Sequence, residues 1–480
     1  MLEDSRYGSG RRIQTIDFRY LNARDFGFRE AEEAKCVCLI QSIVFERDPA
    51  DSRLVRRPLG GAIHLTLDQV EGRRWPISAG LRARYVITLV AVAAGVAQGF
   101  GRFSYAVMLP EMTRTYLHSY ALAGSVGLAN VGAYLLGTAL VSFLATRVKS
   151  KSLVVWGLFL STAGMTMNFM SHNFYLTMLS MAICGLGGSF IWVPTPGIAA
   201  RSVEVRFSGL AMGLAGAGIG VLISISAELA RVLHVFGGQL AWRLQWAIQA
   251  GFGLLVLVLV IAFLPKETGK PDLQRGSAKD LMRVPGWKSV TLAYTAYGLS
   301  YALFFTFFVA EIEHGSRISS SSASIDFGII GFVSIFGGIV SGRLSDLFGR
   351  TLIMAGGFLF MVLSSLLVLI GGSVEAMVAA ILFGVPMSGV ANSVASFIGD
   401  DVPARSFSAV FGLVTLSFGV AQALATQLGG SLASVMGSFT GDFVISGFAA
   451  LAGVGLSLSA GYYRKLSRLS ISRTSSNNAW

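Results

Sequence analysis

The residue with the most chemistry to offer is Arg102, in Gly99-Phe-Gly-Arg-Phe-Ser-Tyr105, a charge set inside a long apolar stretch. An arginine near mid-membrane costs ~2.5–3.5 kcal/mol on insertion scales, so it must face a wet cavity or a partner. A guanidinium grips a carboxylate or phosphate through two parallel hydrogen bonds, which makes Arg102 a candidate anchor for an anionic or strongly polar solute. Gln98 and Tyr105 share its helical face by i, i+4, i+7 spacing. If the helix spans 86–109, Arg102 lies about five residues, or ~7 Å, past its middle. That offset leaves a second reading open, in which Arg102 snorkels to the nearer interface or ties down backbone carbonyls to fix packing.

Other polar groups recur at spacings that put them on one helix face. Asn130 and Tyr134 are an i, i+4 pair, and Tyr294, Tyr297 and Tyr301 line one side of a later helix. Gln245, Gln249, Asn392 and Gln422 sit singly or in pairs within other apolar runs. Each competes with a role as interhelical glue, and an aromatic stripe at this spacing is commonly packing. For proton coupling the candidate is Glu228, with Arg231 and His234 as partners one or two turns on; a capping carboxylate is the competing role. The histidines are scattered and Asp400-Asp401 has no second acidic cluster to pair with, so neither a metal site nor a cofactor is expected.

The elements that must position these groups are set by composition. Of 480 residues, 53% are hydrophobic and 13% charged, against about 25% charged in soluble domains. Too little charge is available to coat a globular surface. The 57 glycines suit closely packed membrane helices. From residue 82 onward the chain is a train of apolar runs, each near the ~20 residues that cross ~30 Å of hydrocarbon. They fall at 86–109, 120–146, 152–171, 173–200, 207–228, 243–264, 289–311, 320–342, 351–372, 374–398, 406–433 and 442–463. The expected fold is an all-α membrane protein of twelve transmembrane helices. Pro194, Pro196 and Pro386 should bend the fourth and tenth.

Charge orients the train. One set of connections holds Arg147, Lys149, Lys151, Arg201, Arg206, Arg343, Arg350 and Arg405, and the tail adds Arg464, Lys465, Arg468 and Arg473. The other set has little beyond Arg114, Arg231, Arg243 and Arg317. By the positive-inside rule the first set and both termini are cytoplasmic, and the net charge of +12 reflects topology rather than nucleic-acid binding. Residues 1–81 stand apart as a poorly ordered cytoplasmic extension. The segment Cys36–Phe45 is too short to span a bilayer and too acidic at its flanks for a signal peptide. No methionine lies between Met1 and Met108, so a start placed too far upstream is an alternative. Three cysteines give no disulfide framework.

A Pro-containing link at 265–288 divides the train into bundles at 82–264 and 289–463, with a cytoplasmic tail at 464–480. The halves look like a duplication: shifted by 200 residues, Ser142–Gly157 falls on Gly342–Gly357. In the first copy Thr146, Lys149 and Ser150 replace Asp346, Gly349 and Arg350.

Gly342-Arg-Leu-Ser-Asp-Leu-Phe-Gly-Arg350 closely resembles the G-x-L-x-D-x-x-G-R loop of the major facilitator superfamily (MFS) between helices 8 and 9. Arg206–Gly213 is similar to its R-G-x-A-x-G entry into helix 5. Asp401-Val-Pro-Ala-Arg405 is similar to its entry into helix 11, with the arginine early. The G-x-G-R-F-x-Y first helix resembles that of a poorly characterised bacterial branch. The resemblance implies two pseudo-symmetric six-helix bundles and a cytoplasmic gate containing Gly342, Asp346, Gly349, Arg350 and Arg405. It also implies a central cavity bordered by helices 7 and 10. The candidate cavity residues are then Arg102, Gln98, Tyr105, Asn130, Tyr134, Tyr297, Tyr301 and Asn392.

The expected function is secondary active transport of a small polar or anionic organic solute across the cytoplasmic (inner) membrane by alternating access. The protein is expected to act as a monomer in the bilayer, without nucleic acid. The alternatives are a non-transporting sensor with the same body, or a membrane-embedded lipid-modifying enzyme.

Overall fold

In a computed structural model the chain forms two units, 1–80 and 81–480. Described are residues 4–7, 11–14, 43–47 and 54–58, then 81–144, 147–204, 207–236, 238, 241–265 and 278–477. In the first unit β1 (Asp4–Tyr7) pairs antiparallel with β2 (Arg11–Gln14), and β3 (Ile43–Arg47) with β4 (Leu54–Pro58). The expectation of poor order over 1–81 falls mostly outside the described residues, as does the basic stretch 266–277 of the central link.

The second unit is a set of twelve apolar helices long enough to cross a membrane. They are α1 (Arg82–Leu117), α2 (Tyr120–Leu144), α3 (Ser150–Met170), α4 (Phe174–Arg201), α5 (Ser208–Phe236) and α6 (Ala241–Phe263). Then follow α7 (Trp287–His314), α8 (Ser320–Phe348), α9 (Arg350–Ile370), α10 (Ser373–Gly399), α11 (Ala409–Met436) and α12 (Thr440–Ser467). Their ends have local causes. Asn173 accepts the N–H of Leu176 at 2.9 Å to cap α4, and Ser319 accepts that of Ser322 at 3.2 Å to cap α8. Gly437 closes α11 in the left-handed conformation, φ 66°, at no steric cost.

Helix pairings repeat between the halves. In the first bundle (α1–α6), α2 packs on α4, α3 on α4 and α6, and α1 on α5. In the second (α7–α12), α8 packs on α10, α9 on α10 and α12, and α7 on α11. The two meet along α2 with α11, α5 with α8 and α1 with α7. These seams are made of small residues. A Cβ on Gly124 would lie 2.5 Å from the carbonyl of Thr426, and one on Gly220 2.6 Å from that of Gly331. Such spacing lets backbones touch where lipid offers no hydrophobic drive.

The seam contacts crowd toward one end of the helices. Ser125 bonds Gln427 at 2.7 Å, Ser224 bonds the Gly328 carbonyl at 2.9 Å, and Arg114 of α1 pairs with Glu313 of α7 at 2.7 Å. This is the end bearing the 118–119 and 315–319 turns. At the other end, where α8 turns into α9, a Cβ on Gly213, Gly342 or Gly412 would meet nothing within 4 Å. The bundles are shut at one end and part toward the other.

Three details refine the expected helices. The first helix runs to Leu117 rather than 109, and the fifth to Phe236 rather than 228. Helix α4 breaks into Phe174–Trp192 and Thr195–Arg201 around Pro194, whereas α10 stays helical through Pro386. The last helix continues to Asn477, so most of the tail past 463 is helical.

Candidate functional site

Arg102 is presented by an irregular stretch of α1. Gly95–Phe103 winds as a π-helix, a wider turn often found at functional sites. Glycines permit it: a Cβ on Gly95 would lie 2.5 Å from the Gly218 carbonyl on α5. The hydroxyl of Ser104 donates to the Gly99 carbonyl at 3.0 Å, adding a side-chain partner where the wide turn ends. Because α1 is longer than expected, Arg102 lies only two to three residues, roughly 4 Å, past its middle. Snorkelling is correspondingly harder, and the side chain turns inward.

Its guanidinium donates through one nitrogen to Gln422 Oε1 on α11 and through the other to Gln98 Oε1 at 3.5 Å. It also lies over the rings of Tyr134, at 5.0 Å, and Phe103, at 5.3 Å. Among the described residues it has no carboxylate partner. A cation at mid-membrane is thus held by neutral dipoles and π faces, with its net charge uncompensated. The bond to Gln422 crosses from one bundle to the other.

Beside it is a cavity of about 40 Å³, bordered by α1, α2, α4, α7 and α11 and large enough for two or three waters. Arg102, Tyr105, Asn130 and Tyr301, all singled out from the sequence, line it, and so does Gln422. Asn130 donates to the Met181 carbonyl at 2.8 Å, while its Oδ1 is buried without a donor. Tyr301 stacks on Phe305 at 5.6 Å, and Phe103 meets Phe305 edge-on at 5.0 Å, giving an aromatic wall. Phe103 escaped the sequence reading, because an aromatic in an apolar run carries no signal of which side it faces.

The remaining candidates fall elsewhere. Gln98 and Tyr134 touch Arg102 without bordering the cavity. The Tyr297 hydroxyl donates to the Met387 carbonyl at 2.8 Å and ties α7 to α10 beside Pro386, so this ring is buried packing. Asn392 is exposed on α10 and donates to the Gly338 carbonyl of α8 at 3.4 Å. Gln245 and Gln249 join Ser104 and Ser226 in a buried polar knot that binds α1, α5 and α6. Glu228 is exposed and ion-paired with Arg231 on its own helix. Among the described residues no group of three or more His, Cys, Asp or Glu could hold a metal.

The gate motif forms a charge relay within the second bundle. Gly349 takes φ 95°, a conformation that suits glycine, and so links α8 to α9 directly. Arg350, heading α9, pairs back with Asp346, donates to Ser345 Oγ at 2.9 Å and reaches Asp400 of α10 at 3.5 Å. Arg464 of α12 pairs with Asp400 at 3.3 Å and with Asp401, and lies 4.2 Å from the Phe397 ring centre. The Asp400-Asp401 pair therefore serves arginines. The Arg405 side chain lies outside the described residues. In the eroded first copy Lys149 precedes α3 with an ordinary φ of −67°, so no glycine is needed there, and Lys151 donates to the Leu264 carbonyl at the end of α6.

Asp346 is largely exposed, so its ion pair contributes little to stability. Asp346→Asn is expected to leave the melting temperature and expression unchanged while slowing solute flux about tenfold, the scale of ~1.4 kcal/mol on a conformational barrier. Wild-type flux in that variant would count against a gating role.

Two solved structures share the fold. One is a bacterial homologue of the human lysosomal transporter Spinster, in an inward-facing, unoccupied conformation (TM-score 0.62, 14% identity, covering 81% of this chain and 98% of that one). The other is a mutant of the nucleoside transporter NupG (TM-score 0.65, 13% identity, 79% and 99% covered). At such identities the likeness speaks for fold alone. Among sequence relatives, the purine ribonucleoside efflux pump NepI of Salmonella typhimurium is 27% identical over 229 residues, 46% of this chain and 55% of the relative. Its counterpart in Salmonella paratyphi B gives 27% over 234 residues, 47% and 56%. The chain spans about half the length of the curated relatives it matches. Residues 94–458 match the family described as uncharacterised MFS-type transporter YbfB. Family and neighbours are transporters rather than enzymes. With twelve apolar helices in two repeating sets and a match over most of its length, the chain is a multi-pass membrane protein that belongs to this family of MFS-type transporters.

Proposed function

We propose that the protein is a secondary transporter that carries a small polar organic solute by alternating access, with the Arg102 cluster as its central binding site. The observation that carries this reading is the asymmetry of the seam. The bundles touch at one end, and beside that closed end lies a polar, aromatic-walled cavity spanned by the Arg102–Gln422 bond. Asn392, an exposed amide about two turns inside the end of α10, belongs in a wet cleft and not in lipid. The basic connections lie at the open end, so that end faces the cytoplasm and both termini with it. The cell's inner membrane is the corresponding location.

At about 40 Å³ the cavity cannot hold an organic solute as it stands. Arg102 already grips Gln422, and a solute enters by taking over that donor. Exchanging a bond across the seam for a bond to solute is what allows occupancy to govern rocking of one bundle against the other. A planar heterocycle with its own acceptors fits such a site: Tyr301, Phe305 and Phe103 offer faces and edges, and Arg102 and Asn130 Oδ1 supply a donor and an acceptor. Purine ribonucleosides, carried by relatives that match half of this chain, are the class to test first, followed by small organic anions.

The test is solute-induced thermal stabilisation of the purified protein across purine ribonucleosides, pyrimidine ribonucleosides and small carboxylates, followed by uptake into proteoliposomes. A ligand at a hundred times its Kd stabilises by about 2.7 kcal/mol, a shift that is readily seen. A protein that moves none of these classes in either direction contradicts the reading.

A further inference from the structure

Near the closed end of the second bundle two carboxylates are buried with too few donors. Asp442, in the first turn of α12, is completely buried, and neither of its side-chain oxygens has a hydrogen-bond partner. Glu311, near the end of α7, is 6% exposed, and its Oε2 also lacks a partner. The backbone N–H of Phe439 acts on Glu311, while the N–H of Asp442 donates to the carbonyl of that same Phe439 at 2.9 Å. The two carboxyls thus flank one residue and feel each other's charge. A Cβ on Gly315 would sit 2.6 Å from Glu311 Oε1, so this glycine leaves the carboxyl its room.

Two anions in such surroundings give up hydration and repel. The positive end of the α12 dipole favours one negative charge there, not two. One shared proton removes the excess.

The neighbours supply little other remedy, and none for Asp442. On α7 the nearby titratable groups are His314, a partial counter-charge for Glu311 alone, and Glu313, which Arg114 holds. Helix α11 has no ionisable side chain from Ala409 to Met436, and the end of α9 beside α12 (366–370) has none. Across the seam Tyr120 of α2 packs its ring on Phe439 at 4.6 Å, and Arg114 is taken by Glu313.

We propose that Glu311 and Asp442 form a proton-binding site, holding one proton between them while this end is shut and exchanging it with the medium on that side when the end opens, so that acid on that side favours the shut seam. This rests on the transport reading above. The step is proton transfer alone: an O–H bond forms on binding and breaks on release, with no redox change. Its link to the seam is structural. Glu313, which holds Arg114, is two residues from Glu311 on the same helix, and Phe439 touches both Glu311 and Tyr120. Separating α1 from α7 therefore disturbs the pair and admits water. Glu228, by contrast, is exposed and already neutralised by Arg231.

The first arm of the test needs no solute. Infrared difference spectra of the purified protein, taken between mildly acidic and alkaline pH, should show a protonated-carboxyl C=O band that titrates. Asp442→Asn should remove it, and Glu311→Gln should shift it, because the two groups share one proton. No such band, or a band unchanged in both variants, overturns the site. If Asp442→Asn does not fold, Glu311→Gln and the wild-type titration decide alone. The second arm uses labelled inosine in proteoliposomes. The variants should retain inosine exchange yet lose its dependence on the pH of the medium at that end. Exchange whose pH dependence survives in both variants overturns the link to the seam. A wild type that shows the titrating band but moves no inosine leaves the site standing and counts against the solute class instead.

Discussion

Arg102→Ala is expected to abolish solute-induced thermal stabilisation and to cut apparent solute affinity about a hundredfold, corresponding to roughly 3 kcal/mol of charge-assisted hydrogen bonding. The size follows from the setting. The guanidinium has no counter-ion among the described residues, lies beside a cavity near mid-membrane, and has its donors aimed along the seam. A solute acceptor that meets it there competes with a neutral amide rather than a carboxylate, so most of the interaction appears as binding. Arg102→Lys should give an intermediate loss, because a point charge survives while the planar fork does not. Thermal melts with and without solute make the measurement. An unchanged solute-induced shift in a less stable Arg102→Ala protein would return the residue to helix packing.

Gly331→Leu and Gly124→Leu are each expected to stop transport while leaving the protein folded and helical. A Cβ at Gly331 would stand 2.8 Å from the Gly220 carbonyl, and one at Gly124 2.5 Å from that of Thr426, so even the first carbon of a side chain collides with backbone. Overpacking of this kind costs about 1–3 kcal/mol. Here the strain exists only while the seam is shut, so the bundles can escape it by opening. About 2 kcal/mol shifts a two-state population roughly thirtyfold. The check is a cysteine at Thr306, beside the cavity, with Cys36 and Cys38 changed to serine and the buried Cys184 retained. An impermeant maleimide added from the side of the 118–119 turn should label it slowly in the otherwise unchanged protein and rapidly in the leucine variants. Wild-type transport by both leucine variants would show that the seam does not open at that end.

Lipid as solvent explains how much was legible in advance. A chain that must satisfy its backbone in hydrocarbon can do so only by helix or closed barrel, so about 20 apolar residues between basic turns mark a spanning helix almost regardless of detail. Hence the twelve runs could be read directly, and so could the six-plus-six repeat. The high insertion cost of a charge likewise picked out Arg102, and its face with it. Helix ends were less legible: α1 and α5 extend eight residues beyond their apolar runs, because tertiary contacts carry Arg114 and His234 in helical form.

What sequence alone determined is therefore the solvent, the number of spans and the rarity of their charges, since each depends on local composition. Tertiary structure decided partnership. Gln422 stands 320 residues from Arg102, and Phe439 brings Glu311 beside Asp442 across more than a hundred. Equally, Tyr297 and Tyr301 look alike in the sequence, yet one is spent on the α10 backbone and the other borders the cavity. Periodicity fixes which residues share a face of one helix. What that face meets depends on how twelve helices close on one another, and no single run contains that information.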